Sequence, residues 1–327
     1  MTEEDAGRAS MWPTPVDDVP DLLAAYARPA TLLRPTAGDP GPRDSSVGGP
    51  LLWPADEPWP VCRAPHVVGK RERLSDGDRE LWQEYDRRMK ARRRARTRGS
   101  SVMTAEEDEA RTRIMDGASA IDLKTWERIR TVSEHPATPV PMIPVLQLHA
   151  RDVPGLPLPE GADLLQLLWC PDDHAEPPGQ PHYWGPNVEV RHRAAASVRT
   201  VADPPRPEHS KGVYLPRPCV LDPVRVVDLP AEDELPAELV GTAHAWADAR
   251  AVAYRHLACL RGWKAGGWPS WHLTDLVPID CACGARMRLL LTLDSGGDPK
   301  LTMGRSGELR VFSCPEDLTH PFRLNVQ

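Results

Sequence analysis

Proline constrains this chain more than any other feature. It fills 37 of 327 positions, about twice its usual share in globular proteins. Each proline removes a backbone donor and clashes with the preceding turn of a helix, so a mainly helical bundle is excluded. The prolines gather with glycine, serine and aspartate in turn-forming clusters such as 34–50 (RPTAGDPGPRDSSVGGP), with short apolar runs between them. That alternation is the mark of short strands joined by turns. Hydrophobic residues make up 40% and charged residues 27%, enough to bury a core and too apolar for wholesale disorder.

The fold class expected is α+β, β-rich and mostly antiparallel. Strands are expected at 143–149, 164–170, 188–192, 224–228, 286–293, 308–313 and 322–326. One helix is expected among them, N-capped by Thr242, with Trp246, Ala253, Leu257 and Leu260 on one face and Gly262 ending it. A short helix is expected near Pro20–Tyr26, and residues 1–15 read as a polar, flexible N-terminus. Residues 16–327 read as one domain with a charged insertion at about 67–135. That insertion is nearly free of proline and carries Trp82, Tyr85 and Met89 at helical spacing. Thr104-Ala-Glu-Glu107 fits a capping box, so the insertion is expected to be helical.

An internal echo runs through the second half. Val145-Leu-Gln-Leu148 leads to Leu164-Leu-Gln-Leu-Leu-Trp-Cys-Pro171, and Leu290-Leu-Thr-Leu293 leads to Leu309-Arg-Val-Phe-Ser-Cys-Pro315. Two related β-units in one domain would produce this pattern.

The chemistry lies with cysteine and histidine. Seven cysteines is an odd number, and the acidic opening MTEEDAGRAS lacks the order of an export signal. Thiols or metal ligands are therefore expected rather than a disulfide framework, in a cytoplasmic protein. Cys281, Cys283, Cys314 and His320 form the first candidate zinc site, drawn from two turns of a small sheet. The C-x-C spacing raises the question of whether both thiolates reach one ion. Cys62, His66, Cys170 and His174 form the second, two C-x-x-x-H pairs whose prolines suggest loops, with Asp172 or Asp173 free to orient an imidazole. A mixed site joining one of these pairs to the C-terminal cysteines is also open. The competing reading of both groups is that they are small buried hydrophobes.

The standard phosphate-loop, dinucleotide, metalloprotease and serine-hydrolase signatures are absent from the sequence, and no catalytic residue stands out. The basic run from Arg87 to Arg98 (RRMKARRRARTR) could meet phosphates. Its neighbouring acids and lack of interleaved aromatic residues point instead to a solvated helix face. The net charge of −7 also speaks against a nucleic-acid coat or membrane-surface binder. No apolar run reaches the ~18 residues a spanning helix requires.

Four segments together resemble the YwqG-like family, a bacterial domain of unknown function. They are Gly48-Gly-Pro-Leu-Leu-Trp-Pro-Ala-Asp-Glu-Pro-Trp-Pro60, Pro144-Val-Leu-Gln-Leu148, Leu164-Leu-Gln-Leu-Leu-Trp169 and the tail from Cys283 to Ser295. The chain departs from that pattern through its charged insertion and by carrying Thr292 where the tail strand often has Gln. The resemblance implies a mixed, mostly antiparallel domain, an association of some relatives with toxin–immunity gene neighbourhoods, and no agreed activity. The function expected is a zinc-stabilised binding protein, an immunity-type module whose partner is another protein. The alternatives are a metal-dependent hydrolase with an open Cys/His zinc site and a nucleic-acid binder acting through the basic run.

Overall fold

The computed structural model describes residues 19–94, 104–208, 210–271 and 275–327. The N-terminal stretch 1–15 and the end of the basic run at 95–98 lie outside them. In chain order the elements are α1 (Asp21–Ala24), β1 (Arg28–Leu32), β2 (Thr36–Ala37), β3 (Ser46–Val47), β4 (Val61–Cys62) and β5 (His66–Arg73). Then follow α2 (Asp76–Arg94), α3 (Ala105–Met115), β6 (Ala120–Asp122), β7 (Glu127–Glu134), β8 (Val140–Pro141), β9 (Ile143–His149), β10 (Leu164–Ala175) and β11 (Trp184–Arg193). The remainder is β12 (Cys219–Val220), β13 (Val224–Asp228), α4 (Ala237–Asp248), β14 (Lys264–Gly266), β15 (Arg288–Asp294), β16 (Glu308–Ser313) and β17 (Arg323–Val326). All pairings between these strands are antiparallel. The fold is α+β and β-rich.

The chain divides into two compact units, 1–64 with 136–327, and 65–135. The larger holds two six-stranded sheets. One runs β13-β1-β14-β15-β16-β17 and the other β2-β12-β3-β9-β10-β11. Their orders match strand for strand if the chain is cut into β1–β11 without the insertion and β12–β17. Each repeat lends its first strand to the other repeat's sheet. The registers agree as well: Ser46 pairs Gln147 and Gln147 pairs Gln166 in one sheet, as Lys264 pairs Thr292 and Thr292 pairs Arg310 in the other. Gly48 and Gly266 occupy the same place just beyond Val47 and Ala265, both at positive φ (63° and 72°). A side chain on Gly48 would meet the carbonyls of Pro216 and Arg217 at 2.8 Å. Trp53 and Trp271 follow five residues after these glycines. The echo seen in the sequence is thus the centre of a six-strand repeat.

One apolar cluster draws on both sheets, with Leu146, Leu148, Leu165 and Leu167 from one and Leu291, Leu293, Leu309 and Val311 from the other. The alternate residues of the same strands face away from it, and on that outer side sit the polar rows and the cysteines. Gln147 and Gln166, both fully buried, are held by one another and by the Leu52 backbone: the Leu52 amide donates to Gln147 Oε1 at 2.7 Å and Gln166 Nε2 donates to the Leu52 carbonyl at 3.0 Å. These bonds fix the Trp-Pro segment 51–60 across the sheet, with Trp53 and Trp59 in ring contact at 5.3 Å.

The smaller unit departs from the expected helical insertion. It contains the two helices α2 and α3, but also an antiparallel sheet in the order β5-β7-β6. Charge pairing across its strands disguises it: Lys70 meets Glu134, Arg71 meets Glu127 at 3.0 Å, and Arg130 meets Glu72 at 2.8 Å. A strand exposed for nearly its whole length shows no apolar alternation for sequence reading to find. The capping box is present: Thr104 Oγ1 accepts from the Glu107 amide and Glu107 Oε2 accepts from the Thr104 amide. The single helix expected from Thr242 to Gly262 also differs. α4 begins earlier, after Pro236, and ends at Asp248, with Ala251 at φ 54° and a 3₁₀ turn at Tyr254–His256. Thr242 lies inside it, so proline at the first turn sets its start.

Candidate metal centres

The two candidate groups sit at equivalent points of the two repeats. β10 and β16 each end at Cys-Pro, carrying Cys170 and Cys314. Each is faced by a second cysteine, Cys62 and Cys281, on a short return that the backbone holds in the same way. The Met142 amide donates to the Pro60 carbonyl at 3.0 Å, and the Met287 amide to the Ile279 carbonyl at 2.9 Å. β4 pairs β8 through Val61 and Pro141, and the Asp280–Arg286 bridge is its counterpart. Apolar neighbours also correspond, Leu168 and Met142 around Cys170 against Phe312 and Met287 around Cys314.

In the C-terminal group the ligand atoms of Cys281, Cys283, Cys314 and His320 all lie within 4.8 Å of one another. Cys281 Sγ is 3.4 Å from His320 Nδ1, and Cys283 Sγ is 3.6 Å from Cys314 Sγ. The tight turn after Cys281 answers the spacing question. The Gly284 amide donates to the Cys281 carbonyl and the Cys281 amide to the Ala285 carbonyl, both at 2.9 Å, with Gly284 at φ 89°. That fold of the backbone aims both thiols of the C-x-C pair at one point.

The local electrostatics favour the thiolate at Cys281 and Cys314. The Cys283 amide, aimed at the Cys281 sulfur, holds that thiol below its ordinary value, helped by the neighbouring thiols and the Ala282 amide. Burial works to raise Cys314, but the His320 ring and the amides of Asp317 and Glu316 outweigh it and the thiol is lowered. The Ala285 amide pulls Cys283 down, yet the Cys281 and Cys314 thiols beside it leave it raised. His320 is raised by Cys314, its hydrogen-bond partner. Amides converging on sulfur are the usual setting of a bound thiolate.

The second group is drawn from Cys62, His66, Cys170 and His174, all buried, with ligand atoms again within 4.8 Å. Cys62 Sγ is 3.8 Å from His174 Nε2, and Asn187 Nδ2 donates to Cys62 Sγ at 3.5 Å. His66 stands four residues along the chain from Cys62. The Cys62 thiol, and then burial, push Cys170 far up, against the Asp172 amide. The expected loop around Cys170 and His174 is instead part of β10. A bulge between Trp169 and Asp173 lets Cys170-Pro-Asp-Asp leave the ladder and rejoin it, which re-aims the ligand side chains. Asp173 does not serve an imidazole: its two oxygens accept from Lys211 Nζ and Tyr214 Oη. The mixed site is not formed, since the two groups are separate.

None of the seven cysteines is in a disulfide. A groove of about 300 Å³, lined by Val190, His192, Leu290, His320 and Phe322, runs beside the C-terminal group. Burial lowers His192, keeping its imidazole neutral. No helix among the described residues is long and apolar enough to cross a membrane. No protein-family model and no curated protein matches the chain.

Sequence reading picked out all eight residues that the structure gathers into two groups but missed their correspondence. Aligning Gly48-Gly-Pro-Leu-Leu-Trp53 with Gly266-Gly-Trp-Pro-Ser-Trp271 would have matched Cys62 to Cys281 at almost the same distance downstream.

Proposed function

We propose that this is a YwqG-like, zinc-stabilised interaction protein of the cytoplasm, an immunity-type module that acts by binding another protein. The observation that carries the zinc reading is the spacing of the donor atoms. Sulfur ligands about 2.3 Å from a tetrahedral zinc stand ~3.8 Å apart, and sulfur to nitrogen slightly less. The Cys283–Cys314, Cys281–His320 and Cys62–His174 separations of 3.6, 3.4 and 3.8 Å are of that size. A disulfide would bring the sulfurs to about 2.05 Å, and apolar packing of thiols would not converge two imidazoles on them. Cys/His groups at equivalent points of both repeats, two cysteines with two histidines in one and three cysteines with one histidine in the other, are a second support.

Four donors in each group close the coordination shell, and a closed shell is a structural one. The zinc then holds the returning segments 60–62 and 279–285 against the sheets. The hydrolase reading needs an open position for water. It retains one support, the groove beside His320. Thiols this close together call for a reducing compartment, which supports the cytoplasmic setting.

The test is metal analysis of the purified chain by native mass spectrometry, with and without the His320→Ala change. The structural reading expects zinc to be lost from the C-terminal group with the imidazole. Retained zinc that gains a water ligand and hydrolytic activity would favour the hydrolase.

A further inference from the structure

The two repeats also differ in the buried row beneath their equivalent tryptophans. Trp53 and Trp271 hold equivalent positions, and each covers a guanidinium: Arg193 lies 4.5 Å from the Trp53 ring and Arg310 lies 4.8 Å from the Trp271 ring. Arg193 is fully engaged. Its Nη1 and Nη2 meet the Glu57 carboxylate at 2.8 and 3.3 Å, and its Nε donates to Gln166 Oε1 at 2.8 Å. Arg310 is wholly buried, yet Nε, Nη1 and Nη2 have no hydrogen-bond partner among the described residues.

Its cross-strand neighbours share this condition. Thr292 and Asn325 pair with Arg310 on either side and project from the same face. Thr292 Oγ1 and Asn325 Oδ1 are buried and unpartnered as well. In the other repeat the corresponding row, Gln147 and Gln166, is tied to Leu52. The nearest acid to Arg310 is Glu308, whose Oε2 stands 3.9 Å from Nε and already accepts from Ser270 Oγ at 2.5 Å. The second charged pair beneath this face is closed on itself, for Asp228 accepts from Lys264 Nζ at 2.7 Å and from the Leu260 and Trp268 amides.

A buried guanidinium without acceptors costs several kcal/mol in desolvation. Donors are in excess here: the guanidinium offers five N–H groups and the threonine one O–H, against acceptors on Thr292 and Asn325. We propose that Arg310, Thr292 and Asn325 form a binding site for a small carboxylate-type anion beneath Trp271, taking the part that the Glu57 carboxylate plays under Trp53. A planar carboxylate matches the guanidinium fork in two parallel hydrogen bonds, and the threonine hydroxyl supplies a third. This site is independent of the metal reading, since it uses no Cys or His donor.

The probe is formate, the smallest carboxylate, titrated into the full chain in chloride buffer, with tryptophan fluorescence and melting temperature as readouts. Saturable stabilisation is expected, with affinity weakened at least about tenfold in Arg310→Met, the scale of losing a charge-assisted hydrogen bond. Thr292→Val, nearly isosteric, provides a second variant if Arg310→Met does not fold; it too should weaken formate binding. A crystal structure grown in formate should show the anion on Arg310 Nη1 and Nη2. Water molecules alone bridging Arg310 to Glu308 and Asn325, with no formate-dependent shift, would overturn the proposal.

Discussion

At the scale of single residues, Cys314 decides most. It ends β16, is fully buried, and stands beside both Cys283 and His320. Serine in its place keeps the volume but cannot supply a soft thiolate. Cys314→Ser should therefore remove one of two zinc ions and lower the melting temperature by at least ~5 °C, because metal affinity here is folding energy. Unchanged zinc content by mass spectrometry would contradict it. Protons compete for the same atoms. Metal binding needs thiolate sulfurs and a neutral imidazole, and Cys314 raises His320, so His320 holds its proton to a higher pH than usual. On acidification zinc should therefore begin to leave at a higher pH than an ordinary imidazole ligand would allow, monitored with a chromogenic chelator. These clustered residues were legible in the sequence because cysteine, histidine and proline recur there at short, fixed spacing. Arg310 was not, since an arginine inside an apolar strand reads as any solvated residue until its burial is known.

At the scale of elements, strands with apolar cores were legible and charged strands were not. β9, β13 and β16 begin and end where the alternation and the flanking turns say. β5 and β7 pair over eight residues with diagonal ion pairs between them, and their composition is that of a helix surface. The basic helix α2 shows a similar balance: Glu84 pairs Arg87 at 2.9 Å and Arg88 at 2.8 Å, and Asp86 pairs Lys90 at 2.6 Å. With these charges partly neutralised, duplex DNA or RNA should not bind measurably at micromolar protein in ~0.15 M salt. A gel-shift lost on changing Arg87, Arg88 and Arg92 to alanine would reverse that expectation. The stem of the insertion also allows a clean excision. Gly69 and Thr131 are register partners, so an Asn-Gly turn joining them in place of 70–130 suits a two-residue hairpin. Shortening the loop lowers the entropic cost of closing it, by about 3 kcal/mol on the logarithmic scale of loop closure. The excised protein should remain soluble with cooperative melting. A molten product, seen by near-ultraviolet circular dichroism, would make the insertion part of the core.

At the scale of the whole molecule, the larger unit is a doubled sheet whose halves exchange their first strands. The insertion hides this from the sequence. It enters three residues after Cys62, at the point where the second repeat makes its tight Cys281–Ala285 turn, so the spacing between matching positions shifts abruptly within the first half. The doubling gives the central claim its number: one zinc for each repeat, held by Cys62, His66, Cys170 and His174 and by Cys281, Cys283, Cys314 and His320. The most direct test is native mass spectrometry of the full chain purified under reducing conditions, before and after dialysis against a strong chelator, with melting followed in parallel. Two zinc ions per chain, and a metal-free form that melts markedly lower, is the predicted result. A chain that carries no zinc and melts at the same temperature in chelator would contradict the account.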